Sequence, residues 1–278
     1  MTLHAPTYAG GFASPERGML QHRNVWKGVV GAWLPSAGAT GLTLRDHSGR
    51  GNHGTINGAT AAEAWADTPR GLTFDGSDDY TRLPDETLPV GVNALTVSMW
   101  CKADDTAAEY RAFAYNTNDV YISLIVNRGG TANRIQGLVH ASGSTAVTTD
   151  AYAVTDLIHI AITATAGDRF DLYLNGILAA SDTSIGAFSV TSGTPTYNNI
   201  GAARNNSIPF LGTIDDIAIW SRDLPPSEIS LLHSLGPGGM YRRKRRVIAA
   251  PAAGRINSLI GVGGGMIGYG GGMIGRGY

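Results

Sequence analysis

Two histidines flank a glycine-rich turn in the stretch LRDHSGRGNHGTINGA, His47 before Ser-Gly-Arg-Gly and His53 after it. Imidazoles placed across such a turn can approach each other, and they suit metal binding or proton transfer. No third ligand or nucleophile stands at a supporting spacing, so both are expected to be polar residues of a turn. Cleavage of a glycosidic bond needs two carboxylates about 5 to 10 Å apart. The five glutamates, Glu16, Glu63, Glu86, Glu109 and Glu228, are scattered over arm, loops and a terminal helical stretch, with none in an alternating strand. No enzyme is expected. The single cysteine, Cys101, rules out an intramolecular disulfide, and its apolar surroundings in LTVSMWCKA predict a small buried hydrophobe.

Aromatic and basic residues offer binding rather than catalysis. Of five tryptophans, Trp100 and Trp220 stand in apolar runs and are expected in the core, whereas Trp65 in EAWADTPRG stands in polar text and is the candidate for stacking on a sugar. The net charge of −1 hides an asymmetry: from position 237 onward lie seven basic residues and no acidic ones, leaving 14 basic against 22 acidic residues before it. Five of the seven are consecutive, Arg242, Arg243, Lys244, Arg245 and Arg246. A solvated linker, an acidic protein surface, nucleic acid and an anionic membrane all remain open for such a run. One neighbouring aromatic without interleaving argues against nucleic acid. A protein partner fits better, because the tail continues as LIGVGGG, MIGYGGG and MIGRGY, offering Met266, Ile267, Tyr269, Met273, Ile274 and Tyr278 as anchors spaced by glycine. The glycine strings do not follow a strand and open a helix, so they are not phosphate loops. No run of about 18 apolar residues is present to span a membrane, and the N-terminus lacks the pattern of a secretory signal.

The elements that must position these residues are short and β-rich. From NVWKGVVGAWL onward, apolar runs alternate with Gly, Asn, Asp and Ser clusters, among them LTVSMWCKA, AFAYN, VYISLIVN, NRIQGLVHA, HIAITATA and GTIDDIAIWS. In RFDLYLNGIL, Phe170, Leu172 and Leu174 share one face while Asp171 and Tyr173 share the other, and Asn-Gly predicts a two-residue hairpin. Helical spacing is confined to LPPSEISLLHSL, with Ser227 as its expected N-cap and a stop near Leu235 before GPGG. Many short strands without alternating helices predict an antiparallel sandwich or barrel.

Four stretches in this order, LRDHSGRGNHGTINGA, LTFDGSDDYTRLP, LTVSMWCKA and HIAITATAGDRFDLYLNGILAAS with NIGAARNNSIPFLGTIDDIAIWSRDLPPSEI, resemble the laminin G-like branch of the concanavalin A-like jelly rolls. The resemblance implies an all-β antiparallel jelly-roll sandwich over residues 25–235, between an extended N-terminal arm, 1–24, and a basic then Gly-rich C-terminal tail, 236–278. It also implies a structural Ca²⁺ between the opening hairpin and the last long strand, held here by Asp46, Asn52 and Asp215. The turn glycines by themselves are equally read as turns and nothing more. Fold relatives of the laminarinase type carry Glu-x-Asp-x-Glu on one strand, and no such spacing occurs here. A laminin-like domain without a secretory signal suggests a bacteriophage virion structural protein, made in the host cytoplasm, that decorates the capsid or forms an appendage. Its expected partners are copies of itself and other virion proteins such as a major capsid protein, with a glycan as a further ligand and neither nucleic acid nor membrane. The alternative is a carbohydrate-binding lectin or adhesin of a bacterial surface.

Overall fold

The computed structural model describes residues 22–241, apart from 68–70, 117–120, 141–143, 150–152 and 191–196. The expected anchors of the tail, from Arg242 through the Met-Ile pairs to Tyr278, and most of the N-terminal arm lie outside the described residues.

The described chain opens with a helical turn, α1 (Arg23–Trp26), and continues through β1 (Val29–Trp33), β2 (Thr43–Leu44), β3 (Gly54–Asn57), a second helical turn α2 (Ala61–Ala64), β4 (Leu72–Asp75), β5 (Tyr80–Arg82) and β6 (Ala94–Ala103). Then come β7 (Tyr110–Asn116), β8 (Tyr121–Val126), β9 (Ile135–His140), β10 (Ser144–Thr149), β11 (Ile158–Thr165), β12 (Arg169–Leu174), β13 (Ile177–Asp182), β14 (Asn199–Ile200), β15 (Leu211–Trp220) and the helix α3 (Pro226–Leu235). Two antiparallel sheets result. One has seven strands in the order β1-β15-β6-β11-β12-β13, with β4 also paired to β15; the other has eight, β10-β9-β8-β7-β14-β5-β3-β2.

Side-chain alternation builds the core between the sheets. Leu95, Val97, Met99, Cys101 and Ala103 of β6 face inward with Phe170, Leu172 and Leu174 of β12, and meet Phe113, Tyr115, Ile122, Leu124 and Val126 of the second sheet. Cys101 is buried as expected, which pushes its thiol up to about 12. The Asn-Gly hairpin is present: Leu174 pairs with Ile177, and Asn175 and Gly176 between them take φ of 49° and 78°, the left-handed values that this turn requires.

The helix starts elsewhere than expected. Ser227 lies inside α3 and caps nothing; Pro225 is the N-cap residue and Pro226 occupies the first turn, where its fixed φ suits a helix start and its missing N–H is no loss. Ile229 and Leu232 of α3 cover the outer face of the seven-stranded sheet, forming a second apolar cluster with Val25 and Trp26 from one end of the domain and Met240 and Tyr241 from the other. The packed chain therefore continues past Leu235. It also explains why β6 and β15 are buried almost without interruption, since both faces of that sheet are covered.

Candidate functional site

The outer face of the eight-stranded sheet is different. Alternation along β8 and β9 sends Ile122, Leu124, Ile135 and Val139 into the core and leaves Tyr121, Gln136, Leu138 and His140 on the other side, and in β7 a register shift sends Phe113 into the core while Arg111 faces outward. Register then gathers them: Tyr121 pairs with His140, Ser123 with Leu138, and Arg111 with Ile125, which pairs with Gln136. A bulge between Arg111 and Phe113 locally turns β7. Against these strands stands the loop after β14, and together they enclose a groove of about 520 Å³ lined by Arg111, Tyr121, Leu138, His140, Ala203, Asn205, Ser207 and Ile208.

A buried asparagine shapes the loop. Asn199 of β14 donates from Nδ2 to the Ala203 carbonyl at 2.9 Å and to Asn206 Oδ1 at 3.0 Å, and the Ala203 N–H donates to the Ser207 carbonyl at 2.8 Å. Asn205, Asn206 and Ile208 all have positive φ, 57°, 59° and 52°. Asparagine tolerates that region, but a β-branched residue there is an outlier, and such strain gathers at ligand-binding loops. Ile208 is exposed at the groove.

Arg111 is 9% exposed, and an ordered network fixes it. Its Nη2 lies 2.9 Å from Glu109 Oε1, while Glu109 Oε2 accepts from Arg128 Nη1 and from the Gly129 N–H, both at 2.7 Å. Arg128 Nε in turn donates to Gln136 Oε1 at 2.9 Å, and Gln136 Nε2 to Thr148 Oγ1 at 3.0 Å. Burial pulls the Arg111 guanidinium below its usual value, opposed by Tyr121, to which it is hydrogen-bonded, and by Glu109. Burial alone would push the Glu109 carboxyl up, but the Gly129 N–H and the two arginines outweigh it and hold it below the usual range. Rigid polar side chains around an open space of this size can orient a small ligand by hydrogen bonds.

The residues expected to bind calcium are placed near the other sheet. Asp46 Oδ1 accepts from the N–H groups of Ala32 and Ser48 at 3.0 and 2.8 Å, and Oδ2 from Ser48 Oγ and the Asn52 N–H at 2.7 and 2.9 Å. Asn52 donates from Nδ2 to the Val30 carbonyl at 2.7 Å, and Asp215 Oδ1 accepts from the Ser36 N–H at 3.0 Å. Both Asp46 oxygens thus accept from protein donors, and Asp46 and Asn52 together clamp the turn against β1. His53 Nδ1 accepts from the Asp46 N–H at 3.0 Å, and His47 is buried with its ring edge-on to Tyr241 at 5.7 Å, so both serve the turn. Trp65 corrects an expectation: it is 7% exposed in the core and donates to the Gly41 carbonyl at 2.7 Å, leaving no ring face for a sugar. The apparent polar context misled because the capped turn α2, with Thr60 and Glu63 closing a reciprocal hydrogen-bond box, folds the tryptophan inward. Asp75, Asp78 and Asp79 approach one another within 4.8 Å on a surface turn.

Sequence reasoning found the strands of the groove but named none of its residues. The available signal was the parity of Tyr121 and His140, out of phase with the apolar core positions of β8 and β9; Arg111 has the parity of Phe113 and Tyr115 and reaches the outer face only through the bulge, which the sequence does not announce.

A family model described as the concanavalin A-like lectin/glucanases superfamily, with a laminin G-like domain, matches residues 75–230. The chain belongs to that superfamily. No curated protein matches it by sequence. Among solved structures it is similar to domain 4 of AbnA, a GH43 extracellular arabinanase from Geobacillus stearothermophilus solved in complex with arabinotriose, at 21% identity and a TM-score of 0.55, over 74% of this chain and 98% of that one. It is also similar to the receptor-binding domain of botulinum neurotoxin D, at 16% identity and a TM-score of 0.58, over 76% of this chain and 53% of that one. A third similar structure is the binding domain of botulinum neurotoxin DC in complex with SialylT, at 11% identity and a TM-score of 0.56, over 76% and 52%. The chain thus spans about half the length of the toxin domains it resembles.

Proposed function

We propose that this member of the superfamily is a non-enzymatic binding domain that takes a glycan in the groove on the outer face of its eight-stranded sheet. The groove carries the reading: Arg111, Tyr121 and His140 on strands, and Asn205 and Ser207 on the loop that Asn199 braces, offer hydrogen-bonding groups around space for a short saccharide. Among the described residues no carboxylate lines it, whereas glycosidic cleavage needs two. The similarity to an arabinanase domain solved with arabinotriose, and to a toxin binding domain solved with SialylT and matched over about half its length, supports a binding role. The test is a glycan array probed with the purified protein and with Asn205→Ala. Saccharide binding that the substitution weakens supports the reading, and an array without a single specific hit refutes it.

A second reading concerns where the domain acts, and the placement of its ends favours it. Val25 and Trp26 from one end and Met240 and Tyr241 from the other share one cluster on the outer face of the seven-stranded sheet, whereas the groove lies on the outer face of the other. A domain held from its two ends on one face presents the opposite face. That arrangement suits a bacteriophage virion protein decorating a capsid or appendage, with its arms and the basic run from Arg242 to Arg246 bound to copies of itself and to shell proteins. A lectin or adhesin of a bacterial surface would use the same groove. Mass spectrometry of purified particles separates the two: stoichiometric amounts support the virion role, and absence refutes it.

A further inference from the structure

We infer that Arg111 reads a negative charge, and that the glycan taken by the groove is an acidic one whose sugar carboxylate it binds. The inference rests on the reading of the groove as a glycan site and names the class of glycan.

Three observations converge on it. Arg111 lines the groove and is nine-tenths buried, yet its Nε and Nη1 have no hydrogen-bond partner in the protein, although buried N–H groups are nearly always paired. Its charge is only partly answered: the one carboxylate beside it among the described residues, Glu109, is shared with Arg128 and accepts the Gly129 N–H as well. Among the described residues the groove lining supplies no anion, and Glu109 is divided between Arg111 and the exposed Arg128, so the Arg111 charge in the groove wall is incompletely answered. There a charge-assisted hydrogen bond is stronger than in water. A planar guanidinium fork matches a planar carboxylate, and the polar Tyr121, Asn205 and Ser207 around it suit the hydroxyls of the same sugar. A neutral saccharide would accept from the guanidinium through hydroxyl oxygens alone and leave its charge unanswered.

Calorimetry at low salt tests this with two matched pairs of probes, trigalacturonic acid against its methyl ester and sialyllactose against lactose. The first pair reports a hexuronic carboxylate and the second a sialic carboxylate. The expected result is that one acidic probe binds at least about tenfold more tightly than its neutral counterpart. Arg111→Gln should abolish that preference, and Arg111→Lys should keep part of it. Where Arg111→Gln does not fold, Tyr121→Phe takes its place, since it removes the hydroxyl beside the guanidinium and keeps the ring. Equal affinity for charged and neutral members of both pairs overturns the inference, as does a preference that survives Arg111→Gln. If neutral glycans alone bind, and Asn205→Ala weakens them, the glycan reading stands and the acidic one falls. If no glycan binds, both fall.

Discussion

The Glu109 carboxylate stands 2.9 Å from the Arg111 guanidinium, Oε1 to Nη2, and it is the anion that holds a buried arginine charged in the groove wall. Glu109→Gln leaves that cation without its counter-charge, and breaking a buried pair from one side typically costs about 3 to 5 kcal/mol. The pH dependence has a defined sign. The Glu109 carboxyl lies below its ordinary value in the fold, so its contribution is complete above the unfolded value and is lost as pH falls through the folded one. Urea denaturation from about pH 6 to about pH 3 should show a decline that is shallower in Glu109→Gln, the ordinary glutamate value being about 4.3. Equal pH slopes in the two proteins would rule out the pairing as a source of stability.

Two buried histidines add a separate acid sensitivity. Burial lowers His159 to about 3, with His233 adding to the effect, and lowers His47 to about 4. Both are neutral in the fold and take up a proton on unfolding between these values and the usual 6.5. Their contribution is therefore full above about pH 6.5 and is lost progressively below it. His159 is 1% exposed with Nε2 2.8 Å from Ser98 Oγ, so His159→Gln should flatten the stability profile between about pH 4 and about pH 6.5. A profile as steep as that of the wild type would assign the acid sensitivity elsewhere.

Residues whose role is local were legible in the sequence, and those whose role depends on strand register were not. Asn175 and Gly176 declare their turn because its backbone demands positive φ, and the alternation of Phe170, Leu172 and Leu174 declares a core face. Cys101 is buried for the reason its neighbours suggest. Arg111 and His140 stand 29 positions apart, and only the pairing of β7 with β8 and of β8 with β9 brings them to one groove. Trp65 failed for a related reason, because polar neighbours in sequence do not report which way a capped turn folds. Asp46 was legible as important, but its four protein donors come from three positions, two of them outside its own turn's first residues.

Asp46 yields a test of the clamp. Asp46→Ala strands the buried N–H of Ala32 and those of Ser48 and Asn52, each unsatisfied buried group costing about 1 to 3 kcal/mol without full additivity. A drop in melting temperature is expected, of equal size with calcium and with chelator present. A wild-type protein stabilised by calcium in a manner that Asp46→Ala abolishes would instead support the calcium site expected at Asp46, Asn52 and Asp215.

Ile208 should trade stability for binding. Its φ of 52° is strained for a β-branched side chain, and relief of such a conformation is worth about 1 to 3 kcal/mol before the added flexibility of the replacement is counted. Ile208→Asn, which accepts this backbone, is expected to raise the melting temperature slightly while weakening glycan binding. A lowered melting temperature would mean that packing of the isoleucine outweighs its strain.

The ends of the domain set where it can be cut. The Trp220 indole donates to the Val25 carbonyl at 2.6 Å, the Trp26 ring meets Tyr241 edge-on at 5.4 Å, and the Gly238 N–H donates to Asp216 Oδ2 at 2.9 Å, so residues 238–241 complete the cover over the seven-stranded sheet. A chain stopped after Tyr241 keeps all of this. One stopped after Pro237 loses the burial of Met240 and Tyr241, worth about 1.5 to 3 kcal/mol for each large apolar side chain, and leaves Trp26 uncovered. The first truncation is expected to melt like the full chain and to bind glycan equally, and the second to melt several degrees lower. On the virion reading, both lose incorporation into particles, because both lack the basic run and the Met-Ile repeats. Normal incorporation of the chain stopped after Tyr241 would show that the tail is not the attachment, and equal melting of the two truncations would show that Met240 and Tyr241 are not part of the core.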